Sequence, residues 1–539
     1  MHAREGAIPE DTGTHGWKAL QAEPLGVMPS AGSRRMMRQT AAGALAVPPR
    51  SRPVAWESWR APSSAAGRAA LTAAATLVAG LAAGAAGAEG VAFLVVALGG
   101  LAVVVLSLSR IDVPLALLGL GIGLPSVRLQ VGDIVVGLTE AAVMAALVAY
   151  VARQMLRKEP LIYPQRLHWP VLAVGLVYLV AFLRQPDWVL TSNEFSAIKV
   201  SYRLALGIAV YFVVAGAVGR RDVPAMVGGL LVGVAINVAY GFQQWQAGDT
   251  TVEGLREGVG ALMDVHYGPY LGFGLVTCGA SLLAARTRPL RLTLAALLVA
   301  VAVQMILANS LTAVMSLVVL GSALLAAFVS AARGRGAPLL ALGVLGLGVG
   351  GLWLAAYGGP VRDALAGSPV LGRATGAFSG QDLSVRSRAF HWNLARGLIA
   401  EHPWGMGLDG YRRYYLDNFS YAVPTTDAVL IQGERGVSAH NMFLDVGLAT
   451  GWLGIGAVAW LLVAAWGASL RRLREAWSGE DRALVWGLFL VIAQFTLMGL
   501  VFGNSLQLGY SSFIFFATLG LLAAGERVAP CLAGGDAEG

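Results

Sequence analysis

Charge is scarce in this sequence. Only 13% of its 539 residues are Asp, Glu, Lys or Arg, against roughly a quarter in a soluble domain of average make-up. So few polar groups cannot cover a water-facing surface. That excludes the string of soluble domains the length alone would suggest. Cysteine is scarcer still, with Cys278 inside an apolar run and Cys531 near the end, so a disulfide framework is excluded. The opening residues lack a basic start running at once into an apolar stretch and a cleavage site, and they do not read as a signal peptide. No acidic cluster has the spacing of metal ligands. Neither a metal site nor a cofactor is expected, and no nucleic-acid partner.

What is abundant is apolar: 56% of residues are hydrophobic, with 69 glycines and a mean hydropathy of +0.65. The solvent for most of this chain is lipid, and small residues let helices approach closely there. The expectation is an all-α polytopic membrane protein of about 12–14 transmembrane helices, with a large extracytoplasmic loop before the last three. Fourteen apolar runs lie near 69–86, 91–109, 113–124, 134–152, 170–184, 198–218, 224–242, 268–285, 292–308, 312–331, 337–357, 443–469, 484–503 and 510–525. The run at 113–124 is short of the roughly 20 residues a span needs, so it needs its flanks or is a re-entrant piece. The chain divides into a basic extension at 1–67, read as disordered and cytoplasmic, and a helix bundle at 68–357. The loop at 358–440 carries short helices, among them Phe390–Ile399. C-terminal spans at 441–525 and a cytoplasmic tail at 526–539 complete it.

Basic residues give an independent check. With the N-terminus cytoplasmic, every even-numbered span ends inside, and Arg110, Arg153, Arg220, Arg286, Arg333 and Arg471 with their basic neighbours fall at those turns. This is the positive-inside pattern, and it places both termini in the cytoplasm. The segments near 125–133, 185–197, 243–267 and 309–311, the stretch 358–440 and the turn near 504–509 then face outward. A long loop with aromatics and turn signals of its own is a place for function.

Two blocks in that loop carry chemistry. The first is Arg388-Ala-Phe-His391-Trp392, followed by His402-Pro403-Trp404-Gly405-Met406-Gly407. The second is His440-Asn441 at the mouth of a span, followed by Gly451-Trp-Leu-Gly454. In order and spacing they resemble the O-antigen ligase and polymerase family, closely over about 380–456 and loosely over the span pattern from 90 to 525. The resemblance implies a metal-independent, inverting glycan transferase of the bacterial inner membrane. Its donor is a glycan on undecaprenyl pyrophosphate, and its acceptor is a hydroxyl of lipid A–core or of a growing polysaccharide. Membrane lipids and a polysaccharide chain-length regulator are the implied partners.

Displacing a pyrophosphate requires cations near the departing charge, and the attacking hydroxyl must lose a proton, a task suited to histidine. His440 and Arg388 are therefore the catalytic candidates, with Arg386 the substitute if the register differs. Asn441 orients a neighbour or caps the helix, and His391 and His402 read as structural. Lys199 and Arg203, four apart, share a helix face. They bind pyrophosphate or reach lipid phosphates, and His266 stands at another span entry. The turn Asn309-Ser310-Leu311 has leucine where many relatives carry an arginine. Either another cation such as Arg203 substitutes, or the substrate differs, or the chain is not a transferase. A transporter of small anions and a non-catalytic partner of an exopolysaccharide system are the alternatives.

Overall fold

The computed structural model describes residues 110–125, 128–131, 134–184, 197–219, 222–248, 251–253, 256–258, 267–308, parts of 313–324, 383–419, 438–475, 479–501, 506 and 509–533. The runs expected at 69–86, 91–109 and 337–357, as well as His266 and Leu311, lie outside these residues. Two units divide the chain, Met1–Gly67 and Arg68–Gly539. Every described residue belongs to the second.

In chain order the elements are α1 (Asp112–Gly123), the hairpin β1–β2 (Arg128–Val131, Ile134–Gly137), α2 (Leu138–Arg157), α3 (His168–Leu183), α4 (Ala197–Ala217) and α5 (Val223–Ala247). A second hairpin, β3–β4 (Thr251–Glu253, Arg256–Gly258), precedes α6 (Tyr267–Ala284) and α7 (Arg288–Leu307). Then follow α8 (Leu383–Glu401), α9 (Gly410–Phe419), α10 (Met442–Glu475), α11 (Gly479–Val501) and α12 (Gly509–Ala533). Among the described residues, five helices are long and apolar enough to cross a membrane: α4, α5, α7, α10 and the Arg482–Leu500 part of α11. Their outer faces are as apolar as their inner ones. Val299 and Val463 are 63% and 71% exposed, which suits lipid and not water. The described part is a helical membrane protein.

Within the described residues, helices stand where apolar runs are expected, with a few shifts. The run read as entering the membrane at 134 instead opens with β2, because Ile134-Val-Val-Gly137 pairs antiparallel with Arg128–Val131. β-branched residues suit that pleat, and the helix starts only at Leu138. The last helix runs on to Ala533, past the boundary at 525. The loop helix seen in sequence at Phe390–Ile399 is the middle of α8.

The short run is a helix of 12 residues, about 18 Å long against a hydrocarbon core of about 30 Å. Its neighbour α5 runs parallel to it, and their backbones touch. A Cβ on Gly119 would lie 2.0 Å from the Met226 carbonyl oxygen, one on Gly229 would lie 2.0 Å from that of Ala116, and Gly123 meets Gly233 directly. Both helices carry glycines four residues apart at the crossing, the small-residue packing that replaces the hydrophobic effect in lipid. Where α1 stops, the freed carbonyl of Gly123 accepts from Asn237 Nδ2 and from Tyr270 Oη, each at 2.6 Å. Both side chains are buried, so the interruption is satisfied from within the bundle.

Packing elsewhere has defined directions. α4 and α12 lie parallel, with Gly207 against Phe516 and Gly520 against Val214. α6 and α11 lie antiparallel, with Gly272 against Gln494 and Gly487 against Ala280. The alternation of spans gives the same relative directions. Phe495 and Phe515 stack in the centre at 3.9 Å between ring centroids.

Candidate functional site

The site is built around a broken helix. Gly451 inside α10 has φ 73° and ψ −162°, a backbone state open essentially to glycine alone. In an unbroken helix the Trp452 N–H would donate to the Leu448 carbonyl. Here both groups turn instead to the segment after α8. The Met406 N–H donates to the Leu448 carbonyl (2.7 Å), the Gly407 N–H to that of Ala449 (3.1 Å), and the Trp452 N–H to the carbonyl of Pro403 (3.1 Å). The loop backbone thus lies in the gap of the helix ladder. Such closeness excludes side chains: a Cβ on Gly405 (φ 79°) would sit 2.5 Å from the Ala449 carbonyl oxygen, and one on Gly451 would sit 2.1 Å from that of Pro403. The glycines of the two sequence blocks belong to one junction.

The junction fixes what stands above it. α8 packs on α10, and Ala395, Leu398 and Ile399 of α8 form a small core with Tyr411, Ala439 and Leu448. The free end of the loop is pinned by Arg184, at the end of α3, which donates to the Trp404 carbonyl at 3.0 Å. At the N-terminus of α10, Asn441 Oδ1 accepts from the N–H groups of Phe443 (3.0 Å) and Leu444 (3.2 Å). Asn441 is therefore the N-cap, and its Nδ2 donates to the Leu500 carbonyl of α11 at 3.1 Å.

His440 precedes that cap with φ 52°, uncommon for a residue with a Cβ. A buried carboxylate enforces the turn. Asp445, 7% exposed, accepts from Ser438 Oγ at 2.8 Å and from the Ala439 N–H at 2.6 Å. Ser438 Oγ in turn accepts from the His440 N–H at 2.9 Å. The imidazole is left half-exposed beside a second one, with the ring centroids of His391 and His440 6.3 Å apart and inclined at 63°. His391 is fully buried, sharing a 2.6 Å hydrogen bond with Tyr411 Oη and lying 5.3 Å from the Tyr415 ring. Arg388, half-buried, stands one turn earlier on the same helix.

No known family model matches this chain, and no curated protein matches it.

The other sequence candidates have separate places. Arg203 meets Glu140 with 3.7 Å between Nε and Oε1, their side chains 20% and 15% exposed. This ion pair joins α2 to α4 inside the bundle. Lys199 is half-buried one turn before Arg203. Arg386 lies near the start of α8, and its side chain is outside the described residues, as is all of His266. Sequence reasoning passed over Asp445 and Glu140, and read His391 as structural without its partner Tyr411. Both acids sit in apolar runs, and an ionisable group there is a functional signal by default. His391 sits three residues after Arg388, hence on its face of the helix.

Chemically the arrangement offers a half-exposed imidazole on a rigid turn, with an arginine on the adjoining helix. A group of that type accepts a proton near neutral pH.

Proposed function

We propose that this protein is a membrane glycan transferase of the O-antigen ligase and polymerase type. It moves a glycan from undecaprenyl pyrophosphate to an acceptor hydroxyl on the outer face of the bacterial inner membrane. The single observation that carries the reading is the junction at Gly451, where the two resembling blocks, well apart in sequence, are hydrogen-bonded together beneath His440. In the proposed reaction the acceptor oxygen attacks the anomeric carbon as its bond to the pyrophosphate oxygen breaks. The hydroxyl proton passes to His440, the configuration inverts, and the undecaprenyl pyrophosphate leaves beside Arg388. Arg388, on the helix that packs against α10, is the cation assigned to the donor's charge. Arg203 and Lys199 are secondary. Nothing in this scheme calls for a metal ion.

The test is transfer from purified lipid-linked glycan to acceptor in liposomes, with a chelator present. His440→Ala is expected to lower the rate about 10²–10⁴-fold, the usual contribution of a positioned base. Arg388→Ala should lower it comparably, by about 3 kcal/mol of lost charge stabilisation. Retention of most of the activity in His440→Ala removes the base from the scheme.

One observation favours the transporter reading. At the end of α1 the polar groups of Asn237, Tyr267, Tyr270 and Gln304 gather in the bundle, and Gln304 Nε2 is buried with no hydrogen-bond partner among the described residues. Interrupted helices with buried polar groups mark transporter sites. Uptake of a labelled anion by the same liposomes, in the absence of any glycan donor, separates the two readings.

A further inference from the structure

At the end of the bundle opposite His440 lies a crevice of about 690 Å³ between α5, α6, α7, α11 and α12, floored by Gly119 and Ile122 of α1. Its size falls within the range of small-molecule sites, about 300–1,000 Å³. Along α6 it extends from Ala285 at the mouth to Thr277, about 12 Å at the helical rise. That is most of the roughly 15 Å of hydrocarbon in one leaflet. The walls are apolar apart from Thr277, Ser281 and Thr518. The mouth is different: Arg286 lines it, and the exposed Arg288 and Arg291 follow within five residues, in a stretch from 284 to 294 that holds no acid. Arg291 Nε is held by the Ala285 carbonyl at 2.7 Å, which keeps this turn closed over the rim.

An apolar slot under a basic rim matches an amphiphile with a negative head. We propose that the crevice is a binding site for a glycerophospholipid with an anionic headgroup. One acyl chain lies in the slot, and the phosphate sits among Arg286, Arg288 and Arg291. Basic pockets between transmembrane helices take anionic headgroups in this way, each Lys or Arg near the surface contributing about 1 kcal/mol. A chain in the slot packs against the floor where α1 crosses α5, and so props the crossing from the side that α1 is too short to cover. The proposal is independent of the transferase reading.

Gly228 supplies the probe. It lines the crevice, and a Cβ built on it meets nothing within 4 Å, so a larger side chain there enters the slot and not its walls. The experiment is native mass spectrometry of the full chain in detergent, titrated with phosphatidylglycerol, phosphatidylcholine or glycerol phosphate. The wild type should retain one phosphatidylglycerol more tightly than phosphatidylcholine and take up no glycerol phosphate. Gly228→Phe, or the smaller Gly228→Met, should lose that adduct. Arg286→Gln and Arg288→Gln should each weaken it about fivefold while phosphatidylcholine binding stays unchanged. Equal retention of both lipids by the wild type, an adduct unaffected by both the Gly228 and the arginine variants, or binding of glycerol phosphate alone overturns the site. So does a disulfide between Gly228→Cys and Leu345→Cys, which would mean that the apolar run at 337–357 fills the slot.

Discussion

Among the described residues two helices are interrupted, and the groups each interruption frees are satisfied in different ways. α1 stops at Gly123, and buried side chains from α5 and α6 take its last carbonyl. α10 breaks at Gly451, and the freed carbonyls and N–H are taken by backbone of the segment Pro403–Gly407. The first repair is internal to the bundle and asks nothing of any loop. The second makes the integrity of a spanning helix depend on a loop being seated, and that loop leads back to the helix carrying Arg388 and His391. A helix end capped by side chains is a fixture, whereas one patched by a loop is a joint. The candidate chemistry stands at the joint.

The contrast between the two repairs is sharpest at Gly451. In Gly451→Ala the added Cβ would meet the Pro403 carbonyl in a backbone state alanine does not hold, and the loop must leave. Strain of about 1–3 kcal/mol and three displaced hydrogen bonds at about 1 kcal/mol each put the expected loss at about 4–6 kcal/mol. Limited proteolysis should then cut within 402–437 far faster than in the wild type. An unchanged cleavage rate would mean that the patch does not hold the loop. The counterpart at α1 is the pair Asn237→Ala with Tyr270→Phe, which strips the Gly123 carbonyl of both donors. A buried carbonyl left unsatisfied costs about 1–3 kcal/mol, so the melting temperature in detergent should fall. Proteolysis of the loop should stay as in the wild type, and faster loop cleavage in this variant would erase the distinction between fixture and joint. The smallest effect belongs to Arg184→Gln. One exposed hydrogen bond to the Trp404 carbonyl is worth about 1 kcal/mol at most, so loop cleavage should rise a few-fold with no measurable change in melting.

The bundle was largely legible in sequence because hydropathy reports burial in lipid directly. α4, α5 and α10 begin within a residue or two of the expected runs, though α5 and α10 end five or six residues later. The hairpin at 128–137 was not legible, since Ile134-Val-Val is as apolar as the start of a span and only its pairing partner distinguishes it. At the site, the two blocks and the capping role of Asn441 could be read from residue type. Their hydrogen-bonded union could not. Backbone groups carry no side-chain signature, and the glycines that permit the contact look like any glycines in a chain that has 69 of them. Asp445 and Glu140 were legible in principle, as acids in apolar runs, but the groups they hold, Ser438, Ala439 and Arg203, lie outside their own helices. The partner that Arg203 finds in Glu140 needed the packing of α2 on α4, which no pattern within either helix specifies.

The crossing of α1 and α5 has a mechanical meaning. With backbone against backbone at Gly119, Gly123, Gly229 and Gly233, no side chain lies between the two helices to flex or repack. They form one stiff stalk. A hairpin follows the C-terminal end of each, β1–β2 after α1 and β3–β4 after α5. The ends of the two helices, Gly123 and Ala247, lie more than a hundred residues apart in the chain, yet the stalk holds them at a fixed spacing.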